Sequence, residues 1–122
     1  MIVVDTVIWI DHFHNRNDRL ADLLAEGLAL MHPFVLGEIA LGSVRDRDDV
    51  IAIAGKLPRP LVAEPVEILN LIASADLAGS GIGYVDAHLI ASTILTDNGK
   101  LWARDKRLHA AADRLGIAFP AA

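Results

Sequence analysis

A chain of 122 residues, 53% hydrophobic and 22% charged, can bury one core but is too short for two; wholesale disorder is excluded, and a single domain over residues 1–122 is expected. The absence of cysteine excludes disulfides, thiolate metal sites and a cysteine nucleophile together. A formal net charge of -5 runs against a general nucleic-acid binder, but a site that grips metal through carboxylates carries the same bias, part of which bound cations offset.

The opening run MIVVDTVIWI is broken by Asp5 and has no basic segment before it, so it resembles neither a signal peptide nor a membrane span; the expected location is the cytoplasm, with no membrane partner. Its β-branched start predicts a buried strand over 2–4 that leaves Asp5 at the carboxyl end. Asp18 is placed to cap a helix over 19–26 that Gly27 ends, and 28–31 read as a second strand. Pro33 suits the first turn of a helix reaching about Ser43, and Asp46 or Arg47 opens another that reaches Lys56 before Pro58 and Pro60. Residues 61–63 read as a strand or an extended linker. Pro65 then starts a helix to about Leu77, with Val66, Leu69, Ile72 and Ala73 at helical spacing.

The loop GSGIG, residues 79–83, leads into a helix from Tyr84 to about Leu95, and Asn98 and Gly99 turn the chain into a strand over 100–103 that Asp105 follows. A last helix over 107–115 ends at Gly116, after which 117–119 can return to the sheet before Pro120. Strands alternating with helices predict an α/β fold, with a parallel sheet covered on both faces and ligands bound beyond the carboxyl ends of its strands.

Four acids stand out against this pattern. Glu38 is three or four positions from Phe34, Val35, Leu41 and Gly42 and so projects from an apolar stripe, whose edge also accommodates a glutamate with a packed stem. Asp86 shares a helix face with Ile82, Leu89 and Ile90, although a first-turn acid is also favoured by the helix dipole. Asp105 can cap the helix that follows it. Asp5 can cap a turn too, but an ionisable group directly after a buried strand needs a partner, and no fixed cation is near in sequence. Two of the four lie at strand ends and two point inward from helices able to flank those ends. Carboxylates brought together repel unless protons or cations intervene, and an oxygen-only set suits Mg²⁺ or Mn²⁺ and the phosphoryl-transfer chemistry such ions support.

The segments MIVVDTVIWIDH, PFVLGEIALGS, GIGYVDAHLIAS and LWARDKRL resemble, in order and approximate spacing, the four acidic signature segments of VapC-type PIN-domain toxins. That resemblance covers nearly the whole chain. It implies a three-layer α/β/α PIN-like fold with a central, mainly parallel sheet, and a Mg²⁺- or Mn²⁺-dependent endoribonuclease whose catalytic and metal-holding acids are Asp5, Glu38, Asp86 and Asp105. It also implies RNA as substrate, a homodimer, and a cognate VapB-like antitoxin. Two positions depart from the pattern: Val7 and Ala103 stand where many relatives carry a hydroxyl residue, removing hydrogen bonds that could reach water, metal or a neighbouring acid. Thr6 remains to orient Asp5.

Arg104, Lys106 and Arg107 bracket Asp105 and form a basic rim for phosphates, with solvated charge as the simpler alternative and Asp113 or Glu38 as partners for Arg107. His12, His14, His32, His88 and His109 show no zinc-ligand spacing, and Trp9 and Trp102 read as core or interface. A haloacid-dehalogenase-like phosphatase needs a second acid two positions after the first, where Val7 stands. A receiver domain needs an adjacent acidic pair after strand one, and a catalytically inactive PIN-like binding module has no use for a complete quartet.

Overall fold

The computed structural model describes residues 1–120. Within them three short strands, β1 (Ile2–Val4), β2 (Ala29–Leu30) and β3 (Lys100–Trp102), make an all-parallel sheet in the order β2-β1-β3. Ile2 and Val3 pair with Ala29 and Leu30 on one side, while Ile2, Val3 and Val4 pair with Lys100, Leu101 and Trp102 on the other. All three β1 residues are buried, as a central parallel strand covered on both faces requires. The expected return of 117–119 to the sheet is reduced to one parallel bridge, Leu101 to Ala118.

Among the described residues seven helices surround the sheet: α1 (Thr6–His14), α2 (Asp18–Ala25), α3 (Pro33–Leu41), α4 (Arg47–Ala54), α5 (Pro65–Ser74), α6 (Tyr84–Ile94) and α7 (Lys106–Arg114). This is a three-layer α/β/α arrangement in which α6 lies against β1 and β3, α7 against β3, and α2 against β2. The α2 cap is Asn17, not Asp18: the Asn17 side chain accepts from Leu20 N–H, and Asp18 sits in the first turn, where its charge faces the positive end of the helix. Residues 61–63 form no strand, so the linker alternative holds.

The core is continuous across the layers. Trp9 is fully buried and its indole N–H donates to the Val4 carbonyl at 3.1 Å, tying α1 to the strand that carries Asp5. Trp102 is also buried, against Phe119, so both tryptophans belong to the core. No described helix is long and apolar enough to cross a membrane.

Candidate active site

Beyond the carboxyl ends of β1 and β3 the surface opens into a cavity of about 820 Å³ lined by Asp5, Glu38, Asp86 and Asp105, with Thr6 between the first two. Four acids separated by up to a hundred positions thus meet at one place: Asp5 and Asp105 cap helices that start there, Asp86 lies in the first turn of a third, and Glu38 reaches the cavity from within α3. Asp5 is the N-cap of α1 and accepts from Thr6 N–H at 2.7 Å. Thr6 Oγ1 donates to Glu38 Oε1 at 3.2 Å, so this threonine orients two of the four carboxylates. Asp86 Oδ2 accepts from Gly83 N–H at 3.1 Å, and Asp105 Oδ1 accepts from the N–H groups of Arg107 and Leu108, both at 3.0 Å.

The local structural roles and the convergence therefore coexist. Asp5 and Asp86 are half-buried, whereas Glu38 and Asp105 are exposed at the rim. For Glu38 the inward-facing stripe does not hold: the buried side of α3 is Val35 and Ile39, while Phe34 and Leu41, which share the Glu38 face, are themselves exposed. That helix is apolar on almost every side, so apolar spacing alone could not tell the core face from the cavity face.

Burial pushes the Asp5 carboxyl up to about 6; the Thr6 N–H opposes this, and the negative charges of Asp86, Glu38 and Asp105 add to the rise. All three other acids thus act electrostatically on Asp5. Among the described residues no three acidic or histidine side chains are drawn close enough to clasp an ion as they stand. The donor set nonetheless fits a hard cation, since Mg²⁺ keeps several waters and takes only one or two carboxylates directly.

Arg104 lines the same cavity, but its guanidinium is bonded to Asp11, a partner that sequence reading missed because 93 positions separate the two. Lys106 and Arg107 lie instead in an adjoining groove of about 360 Å³, and among the described residues Arg107 pairs with neither Asp113 nor Glu38. Tyr84, half-exposed, walls the cavity; its place inside GIGYVDAH was the available signal. Of the two departures, Val7 forms part of the cavity wall and Ala103 is buried in the core.

The PIN domain family matches residues 2–114. Two curated proteins, both named Ribonuclease VapC32 and both from Mycobacterium tuberculosis (strains CDC 1551 / Oshkosh and ATCC 25618 / H37Rv), are 42% identical over 119 residues, covering 98% of this chain and 96% of each relative. No solved structure gives a significant match.

Proposed function

Because the chain belongs to the PIN-domain family, among its VapC-type toxins, we propose that it is a single PIN domain acting in the cytoplasm as the endoribonuclease toxin of a type II toxin-antitoxin pair. The observation that carries this is the meeting of Asp5, Glu38, Asp86 and Asp105 in one cavity at the carboxyl ends of parallel strands. Those four side chains would hold Mg²⁺ or Mn²⁺, and a bound divalent ion would supply charge to a phosphate oxygen and lower the pKa of coordinated water. Thr6 fixes the Asp5 and Glu38 carboxylates relative to each other, and the Gly83 amide fixes Asp86, so the acids keep their directions as a phosphodiester enters. Val7, Ile10 and Tyr84 give the cavity an apolar part of its wall beside the acids.

Purified protein is expected to cleave RNA with Mg²⁺ or Mn²⁺ and to fall silent in excess chelator, with recovery when the ion is restored. Cleavage that survives exhaustive chelation would defeat this reading.

The proposal extends to partners. Leu61, Val66 and Leu69 are each more than 60% exposed, and Val62, Ile94 and Leu95 also face solvent. α5 packs on α6, and Ser92 Oγ donates to the Leu61 carbonyl, so the segments that carry these side chains are neighbours. Such a face supports a homodimer. Leu69→Glu is expected to shift the mass measured by light scattering from dimer to monomer with the fold intact, and an unchanged mass would place the interface elsewhere. A VapB-like antitoxin would present an arginine to the carboxylates, since a guanidinium fork matches paired acids and excludes metal.

A further inference from the structure

The loop 79–83 lies between the carboxylate cavity and the basic groove and contributes to both: Gly83 lines the first and Ser80 the second. Its far end holds Asp86 through the Gly83 amide. Its middle residue, Gly81, has φ of +86°, and a Cβ there would stand 2.7 Å from Arg107 Cδ, 3.0 Å from Nη1 and 3.1 Å from Nε. Arg107 therefore lies along the Gly81 backbone in space that exists only because the residue has no side chain.

Two other basic groups nearby are committed. Arg104 is bonded to Asp11, and Arg114 donates to the carbonyls of Ala75 and Asp76, making it a wall of the groove. The Ser80 hydroxyl donates to the Leu77 carbonyl at 2.6 Å. Arg107 has no carboxylate or carbonyl partner for its guanidinium among the described residues, and Lys106 beside it is exposed and likewise unpaired. In a chain of net charge -5, this is an uncommitted cationic groove next to an acidic site.

We propose that Arg107, seated on Gly81, is a phosphate-binding residue for the RNA strand beside the scissile bond, and that the loop 79–83 sets its spacing from the carboxylates. This deepens the ribonuclease reading and rests on it. Two residues of chain span at most about 7 Å, so Arg107 at Gly81 and Asp86 at Gly83 are referenced to one short segment. A planar guanidinium takes a phosphate bidentately, whereas the Lys106 ammonium adds only a point charge.

The test is the affinity of a short fluorescent single-stranded RNA of mixed sequence, read by anisotropy in an Asp5→Asn background so that the strand stays whole. Arg107→Gln is expected to weaken binding about tenfold and to reduce the slope of log affinity against log salt by about 0.7, the share of one phosphate contact on a single strand. Arg107→Lys should recover the salt slope but not the full affinity. Gly81→Ala should reproduce the Arg107→Gln loss, and adding it to Arg107→Gln should cost little more; where the positive φ prevents Gly81→Ala from folding, the Arg107 pair decides alone. With Asp5 intact, Arg107→Gln should raise KM with kcat nearly unchanged. RNA cleavage by the wild type together with unchanged affinity and salt slope in Arg107→Gln overturns the phosphate site and leaves the ribonuclease standing. A wild type that neither binds nor cuts RNA overturns both.

Discussion

Replacing Asp5 or Asp86 by asparagine is expected to lower the rate of RNA cleavage by at least about two orders of magnitude, because each change removes a charge that would hold the cation and leaves the shape in place. The isosteric change matters. Asp5 caps α1 through Thr6 N–H and Asp86 holds Gly83 N–H, and an asparagine oxygen can accept both bonds, whereas alanine would add a structural loss of about 1 kcal/mol at the cap. Folding monitored by circular dichroism should therefore be unchanged while single-turnover cleavage collapses. Glu38→Gln and Asp105→Asn should lose less, since both acids are exposed at the rim, where water screens and can replace them. Rates near wild type for both Asp5→Asn and Asp86→Asn would remove these residues from the chemistry.

In chelator, Asp5→Asn is expected to melt higher than the wild type at neutral pH, the opposite of an ordinary buried-site substitution. The Asp5 carboxyl titrates at about 6 in the folded chain against 3.8 for an ordinary aspartate, so folding favours its protonated form. Its contribution to stability is fully present below the unfolded value and is lost as pH rises through about 6. The advantage of the neutral asparagine should accordingly be near zero at pH 4, grow between pH 4 and 6, and level off above. A rise of this size corresponds to about 3 kcal/mol, which partial solvent exposure reduces to about 1–2 kcal/mol, or several degrees in Tm.

His32 works the other way in the same window. Burial, and then the neighbouring His88, lowers its pKa from 6.5 to about 4, so acid below 6.5 favours the unfolded chain; the difference between mutant and wild type cancels this and isolates Asp5. At a concentration about one hundred times its Kd, Mg²⁺ or Mn²⁺ should stabilise the wild type by about 2.7 kcal/mol and the mutant far less. A mutant that melts lower in chelator yet gains equally from the ion would mark Asp5 as a helix cap alone.

The sequence by itself determined most of the elements and which acids to watch, although the helix Thr6–His14 was legible only as a turn after Asp5. The β-branched run before Asp5, the Pro33 and Pro65 starts, the 79–83 loop and the strand ahead of Asp105 are local signals of φ, ψ and hydrogen-bonding preference, and all of them operate within a few residues. Boundaries moved by one to three positions, as where Asn17 took the role expected of Asp18 and the helix from Pro65 stopped at Ser74. What sequence could not decide was direction and pairing across distance. The apolar surroundings of Glu38 did not reveal which side of α3 faces the core, because a helix apolar all round carries no phase. Nothing local joins Arg104 to Asp11, Thr6 to Glu38 or Arg107 to Gly81; those contacts exist because the parallel sheet, in the order β2-β1-β3, brings the carboxyl ends of β1 and β3 side by side and gathers the loops and helix starts that follow them around one cavity.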